Sequence, residues 1–181
     1  IWAAGVALVL VLGAMPFLLG ETAAQKAATA QNPKSGLLPR DPAIWLLGLL
    51  ALFSMVPEGA VLDWAALYLS EELGADLSRS GLAFAFFSGA MAVMRFAGDG
   101  VRNRFGAVQT LRVSALIAAA GMLGGALAPT DVIAIASFTL SGLGVANMVP
   151  IMFSAAGNHP GLSPGAGIAA VTMMGYAGIL V

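Results

Sequence analysis

The chain has 181 residues, of which 59% are hydrophobic and only 9% are charged, and its formal net charge at pH 7 is −1. Soluble domains carry about 25% charged residues, so this composition excludes an ordinary soluble globule and indicates several membrane-spanning helices. The charge balance leaves no basic face for nucleic acid. With no cysteine and one histidine, the chain has no disulfide, thiolate metal site or histidine-based metal cluster of its own, and no cofactor is expected.

The first 42 residues are predicted to hold one span and a polar connection. Ile1–Leu19 is apolar and close to the ~20 residues that cross a hydrocarbon core. Residues 20–42 are rich in Ala, Gln, Asn, Thr and Pro and are predicted to form a cytoplasmic linker between two halves. Because the chain starts and stops inside apolar runs, we expect a fragment whose N-terminal half is missing.

Five further apolar runs predict five more spans: Pro42–Leu69, Ser80–Ala97, Thr110–Ala128, Asp131–Phe153 and Ala166–Val181. Ser78 is the predicted N-cap of the second of these runs, and Thr130 or Asp131 caps the fourth. Proline lacks the N–H that an interior helix position donates, so Pro57 is expected to bend its span and Pro150 to interrupt its own. Gly121-x-x-x-Gly125 is typical of helices whose backbones approach closely.

Basic residues concentrate in alternate connections. The first, third and fifth connections with their flanks hold seven of the eight: Lys26, Lys34, Arg40, Arg95, Arg102, Arg104 and Arg112. The second and fourth hold only Arg79, among four acids. Cytoplasmic loops carry the Lys/Arg excess, so the turn between Arg95 and Arg112 is predicted to be cytoplasmic. The fold class is all-α, a polytopic transmembrane helix bundle, expected in a bacterial inner membrane.

The segment Gly98-Asp99-Gly100-Val101-Arg102-Asn103-Arg104-Phe105-Gly106 resembles the cytoplasmic signature loop of the major facilitator superfamily. In that family the loop recurs between the second and third helices of each six-helix half. The resemblance implies that residues 1–19 are helix six of twelve and that residues 43–181 are the C-terminal bundle, helices seven to ten and part of eleven. The segment Pro57–Tyr68 more weakly resembles sugar permeases near the fucose–proton symporter branch.

The signature segment is interpreted as a gate as well as an orientation signal. A carboxylate at a helix end can pair with arginines across a turn, and such pairs can form in one conformation and break in another. The candidate gating residues are Arg95, Gly98, Asp99, Arg102, Arg104 and Gly106. A basic loop that only sets orientation is the alternative interpretation. Asn103 stands where the family has an acid.

Polar side chains inside the spans are the candidates for substrate or proton binding. Ionisable residues cost about +2.5 to +3.5 kcal/mol at a helix centre and are functional candidates for that reason. Glu58 follows Pro57 near mid-span and is the first candidate, with a structural hydrogen bond as the alternative; any partner for it is expected in the missing half. Asp63 lies about 140° around the helix from Glu58, which favours a role at the external interface. Asn147 could bind a polar solute or bond a neighbouring helix.

The expected function is secondary active transport of a small polar solute, such as a sugar or related metabolite. The resemblance implies alternating access around a midplane site, coupled to protons through Glu58. A passive facilitator or channel, an exporter of drugs or other hydrophobic solutes, and a non-transporting membrane scaffold are the alternatives. Enzymatic activity is not expected. The expected partners are the solute, the proton, the lipid bilayer and the N-terminal half of the same protein.

Overall fold

The structure, a computed structural model, describes residues 41–160 and 162–178. These residues belong to one compact unit, Leu37–Val181, and the described part contains helices and no strand. The helices in chain order are α1 (Pro42–Glu71), α2 (Leu77–Phe105), α3 (Ala107–Ala126), α4 (Asp131–Val145), α5 (Met148–Gly157) and α6 (Pro164–Tyr176). The predicted span at residues 1–19 and nearly all of the linker at residues 20–42 lie outside the described residues.

Within the described residues, four helical stretches are long and apolar enough to cross a membrane. They are α1, α2, α3 and the stretch Asp131–Gly157 that joins α4 and α5, with 30, 29, 20 and 27 residues. At ~1.5 Å per residue the shortest of them is about 30 Å long, which matches the hydrocarbon core. The all-α membrane bundle predicted from the sequence is therefore confirmed.

Short polar side chains fix the helix starts. Asp41 accepts a hydrogen bond from the Ala43 N–H at 2.9 Å and caps α1. Thr130 caps α4, as predicted. The prediction for α2 was wrong, because Asp76 and not Ser78 is the N-cap; its carboxylate accepts from the Arg79 N–H at 2.8 Å. The helix starts at Leu77 because an acid at Asp76 satisfies its free N–H groups.

The predicted cytoplasmic turn is almost entirely helical, which corrects the sequence interpretation. We expected the span to end at Ala97, whereas α2 continues to Phe105 and α3 follows after Gly106 alone. Gly106 has φ +80° and ψ 157°, a conformation open essentially only to glycine. Arginine is a good helix former and favours the C-terminal end of the helix dipole, so polarity here did not stop the helix.

Arg95 consequently lies within α2 and not in a turn, and its side chain is half exposed. It is ten residues before the end of α2 at Phe105, which places it about 15 Å from that end at ~1.5 Å per residue. The sequence analysis treated Arg95 as the start of the turn. Because α2 is long and apolar enough to cross a membrane, a charge within it is expected to need a partner.

The two prolines act differently. α4 ends at Val145 and α5 begins at Met148, so the helix is interrupted at Ala146 and Asn147, as predicted near Pro150. The ring of Pro150 clashes with the carbonyl of the residue four positions earlier, which is Ala146, and provides no N–H to it. Pro57, in contrast, lies within α1 without ending it.

Small residues set the helix packing. α4 packs against α3 and α2, and α6 packs against α1. A Cβ on Gly121 would meet the backbone of Ser141, and one on Gly144 would meet the backbone of Ala118. The side chain of Phe138 fills the space that Gly125 leaves open. The predicted close helix approach at Gly121 and Gly125 is therefore confirmed.

Three contacts show which helix ends lie together. The Tyr68 hydroxyl donates to the Gly125 carbonyl at 3.1 Å, and Arg79 Nη1 lies 2.9 Å from Asp131 Oδ2. These contacts define the Asp131 end of the bundle. His159 Nε2 lies 3.5 Å from Asp41 Oδ2, at the opposite end, where Gly106 also lies. We refer to this opposite side as the Gly106 end.

Candidate functional site

Two charged side chains of the described chain lie close together on two helices that could each cross a membrane. Glu58 lies near the middle of α1, and its Oε2 atom is 3.9 Å from Arg95 Nη2 on α2. The two side chains are 27% and 50% exposed, so the pair is only partly shielded. The contact is long for a charge-assisted hydrogen bond, which is usually about 2.7–2.9 Å. The expectation that any partner of Glu58 belongs to a missing half was wrong, since Arg95 provides one.

A pocket of about 170 Å³ adjoins Arg95, between α2 and the break that separates α4 from α5. Its walls consist of four of the predicted gating residues, the predicted solute ligand and two apolar side chains: Arg95, Gly98, Asp99, Arg102, Asn147, Pro150 and Ile151. Residues that the sequence assigned to two separate roles, gating and binding, therefore share one cavity. The helical continuation of α2 brings them together.

Asn147 lies in the α4–α5 break and is only 5% exposed. Its Nδ2 has no hydrogen-bond partner in the described part of the chain. A buried donor without a partner costs about 1–3 kcal/mol. Gly98 permits this placement, because a Cβ there would collide with the Asn147 Oδ1 atom. The Asn147 Nδ2 group therefore does not form the hydrogen bond to a neighbouring helix that was the alternative role considered for Asn147.

The carboxylate of the signature segment pairs within its own helix. Arg102 Nη2 lies 3.3 Å from Asp99 Oδ1, one turn away on α2. Asp99 is 86% exposed and Arg102 34%. The sequence analysis expected this acid to pair across a turn, but the turn is the single residue Gly106. The pair lies instead at the mouth of the pocket, with Arg102 covering its inner side.

Three candidates are not brought into this group. Arg104 lies with its guanidinium carbon 5.6 Å from the centre of the Phe105 ring, away from the pocket walls. Gly106 forms the turn and has open space around its Cα. Asp63 is exposed on α1, and among the described residues no ion pair or hydrogen bond joins it to Glu58.

The structure also shows pocket residues that the sequence analysis did not select. A second cavity of about 350 Å³ lies on the other side of Arg102 and includes Ser154 and Asn158. Asn147 and Asn158 are eleven residues apart, about three helical turns, and this spacing places both on one face. That spacing could have identified Asn158 as a candidate pocket residue from the amino-acid sequence.

An apolar cavity of about 250 Å³ lies toward the Asp131 end, among α1, α3 and α4. Trp64, Tyr68 and Phe138 contribute aromatic walls, and the rings of Tyr68 and Phe138 meet edge to face at 6.4 Å. Its lining residues carry no charge. It differs in chemistry from the Arg95 pocket, and aromatic residues near a helix end were its one indication in the amino-acid sequence.

The sequence profile of the Major Facilitator Superfamily matches residues 1–181. The chain belongs to the major facilitator superfamily. Members of this family are transporters of small molecules, and the family together with the four apolar helices of the described residues shows an integral membrane protein. Three residues of the signature segment, which carried the resemblance in the sequence, thus line the Arg95 pocket: Gly98, Asp99 and Arg102.

Named relatives agree with the family. The chain is 35% identical to an uncharacterized MFS-type transporter of Yersinia pestis over 151 residues, covering 82% of this chain and 39% of that protein. It is 34% identical to the uncharacterized transporter y4wD of Sinorhizobium fredii over 148 residues, 82% and 39%. It is 33% identical to membrane protein MosC of Rhizobium meliloti over 142 residues, 78% and 35%. The chain thus spans under two fifths of these relatives, and no solved structure matches it.

Proposed function

We propose that this chain is the C-terminal part of a secondary active transporter that moves a small polar solute by alternating access, coupled to protons through Glu58. In this proposal α1, α2, α3 and the α4–α5 pair are helices seven to ten of twelve, and α6 is part of helix eleven. Residues 1–19 are helix six, and residues 20–42 are the cytoplasmic linker from the N-terminal half. The membrane is a bacterial inner membrane.

The observation that carries this proposal is the Glu58–Arg95 contact of 3.9 Å between the centres of two spanning helices. Two charges at membrane depth are retained only where they have a partner or a function. A long, half-exposed pair is suited to exchange, because protonation of Glu58 removes the attraction and frees Arg95. The pair is then an element whose state depends on the proton, which coupling requires.

The gating residues fit the same cycle. Asp99 and Arg102 lie where α2 meets the Gly106 end of the bundle, at the mouth of the Arg95 pocket. A movement of α2 against the α4–α5 break would open or close this mouth. Gly98 and Asn147 are in direct contact there, so they would slide past each other. A sugar or a related metabolite remains the expected solute class.

The test uses the complete transporter in liposomes with an imposed proton gradient. We expect Glu58→Gln to abolish gradient-driven accumulation, because glutamine cannot release a proton, while exchange across the membrane without a gradient persists. Glu71→Gln is the matched control, since Glu71 is exposed at the end of α1. Uptake of a labelled solute reports the solute flux, and the signal of a pH-sensitive dye reports the proton flux.

Equal accumulation by the wild type with and without the gradient, combined with an unchanged Glu58→Gln variant, would contradict proton coupling and favour a passive facilitator. In that case Glu58 would line a permeation path without carrying a proton. The purified variants must keep the melting temperature of the wild type for either result to count.

Export of hydrophobic solutes is the second candidate, and one observation favours it. The apolar cavity of about 250 Å³ at Trp64, Tyr68 and Phe138 could stack an aromatic compound. If transport of lipophilic dyes is lost in Trp64→Ala and retained in Arg102→Gln, the second candidate replaces the first. The opposite pattern supports the polar solute.

A further inference from the structure

The Arg95 pocket has the donors of an oxyanion site. Arg95 and Arg102 supply two guanidinium groups, and the Asn147 Nδ2 supplies a buried donor with no partner in the described chain. Guanidinium groups bind carboxylates and phosphates with paired N–H donors. The single acid on the wall, Asp99, is engaged by Arg102 at 3.3 Å, and its side chain is 86% exposed.

We propose that Arg95, Arg102 and Asn147 bind a compact oxyanion, a carboxylate or phosphate group, inside this pocket. The proposal deepens the transport function and rests on it, because it assigns the solute a negatively charged group. The expected sugar-like solute is then an acidic or phosphorylated derivative. The pocket volume of about 170 Å³ admits the charged group, while the rest of the solute lies beyond the mouth.

The charges around the pocket explain why a proton and an oxyanion would bind together. Glu58 and Asp99 balance Arg95 and Arg102 when all four are ionised. Protonation of Glu58 leaves one positive charge unmatched, which is the charge that a monovalent oxyanion neutralises. α5 and α6 contain no Lys, Arg, Asp or Glu, the acid of α4 is Asp131 at the opposite end of the bundle, and Arg112 of α3 is exposed.

Glu58 and the oxyanion therefore compete for Arg95. The carboxylate of Glu58 holds the guanidinium only at 3.9 Å, whereas a ligand in the pocket can approach to about 2.8 Å. Binding of the anion favours protonation of Glu58, and protonation favours binding of the anion, because linkage between two ligands is reciprocal.

The test measures binding of potassium sulfate and potassium acetate to the complete transporter in phosphatidylcholine nanodiscs, by calorimetry at pH 6 and pH 8 without a proton gradient. We expect Arg95→Gln and Arg102→Gln each to weaken binding about 10-fold or more, since a charged hydrogen bond is lost. Arg112→Gln is the matched control, with the same charge change at an exposed position of α3 outside the pocket, and should bind as the wild type does.

Two isosteric variants separate a direct role from loss of folding. Asn147→Asp keeps the shape of the side chain but adds a negative charge, so anion binding should fall below detection. Glu58→Gln removes the group that competes for Arg95, so the anion should bind at least as tightly as to the wild type. If Glu58 had only a structural role, the Glu58→Gln substitution would instead weaken anion binding.

The lipid composition of the nanodiscs distinguishes between two sources of the oxyanion, a soluble solute and a lipid headgroup. Sulfate or acetate binding in phosphatidylcholine nanodiscs supports a soluble solute. A different result would overturn the solute assignment: the transporter retains phosphatidylglycerol but binds neither anion, and Arg102→Gln loses that lipid. The pocket would then be a site for a lipid headgroup. No binding of either, or equal binding by all variants, would overturn the proposal. Because no gradient is used, failure of proton-driven transport would leave this result interpretable.

Discussion

Gly98 and Gly100 on α2 differ in whether the surrounding structure leaves space for a Cβ atom. A Cβ on Gly98 would collide with Asn147 Oδ1, whereas one on Gly100 would meet nothing within 4 Å. The pocket exists in its present form because the backbone of α2 can approach the α4–α5 break at Gly98. Glycine in a helix otherwise costs about 0.5–1 kcal/mol relative to alanine, so its presence at a contact has a packing reason.

We expect Gly98→Ala to displace the Asn147 amide and to lower solute transport by the complete transporter several-fold. Gly100→Ala is the matched control on the same helix. It should keep transport and raise the free energy of unfolding by up to about 1 kcal/mol, from helix propensity. Uptake and melting temperature in detergent check both. If Gly98→Ala transports as well as Gly100→Ala, the Asn147 contact is unimportant.

At the residue scale the sequence identified Glu58 and Asn147 because a polar side chain in an apolar run is costly and therefore conspicuous. It did not pair Glu58 with Arg95, because their proximity depends on α2 and α1 being neighbours at the same depth. It also placed Arg95 in a turn, since it inferred the helix end from polarity. Whether Glu58, Asp63 and Asn147 bind substrate or proton stays a prediction.

The helices themselves were largely predictable, and their ends were not. Apolar runs predicted α1 and α3 closely, and Pro150 predicted the break between α4 and α5. The end of α2 was misjudged by eight residues, Ala97 against Phe105. Hydropathy reports where a helix leaves the hydrocarbon, but hydrogen bonding continues through charged helix formers until Gly106 imposes a positive φ.

The α3–α4 contact is the element most sensitive to a small change. A Cβ on Gly121 would meet backbone atoms of Ser137 and Ser141, which cannot move without separating the helices. We expect Gly121→Ala to lower the free energy of unfolding by about 1–3 kcal/mol, as overpacking does. Gly89→Ala, which meets nothing within 4 Å, should be neutral or stabilising. Equal melting temperatures for the two variants would contradict the close packing.

For the whole molecule, contacts between distant segments determine which helix ends lie on the same side of the bundle. Arg79 and Asp131 join the starts of α2 and α4, and His159 and Asp41 join the loop after α5 to the start of α1. The positive-inside rule assigns the Gly106 end to the cytoplasm. This orientation is a prediction about the membrane, and the fold alone is compatible with either direction.

Single cysteines test the orientation cleanly, since the chain contains none. We expect Asn103→Cys, exposed in the last turn of α2, to react with a membrane-impermeant maleimide only after the cells are opened. Glu72→Cys, exposed beyond α1, should react in intact cells. The reverse labelling pattern would invert the bundle in the membrane and place the Arg95 pocket toward the outside.

The amino-acid sequence by itself determined the class, the break near Pro150 and the family, because these follow from local composition and from a short motif. Only the tertiary structure decided that Glu58 meets Arg95 and that four of the predicted gating residues share a cavity with Asn147. These contacts depend on the register between helices, which is set by close approaches at Gly98, Gly121 and Gly144. Small residues fix that register through backbone contacts between segments far apart in the chain, and no local pattern encodes which backbone each glycine meets.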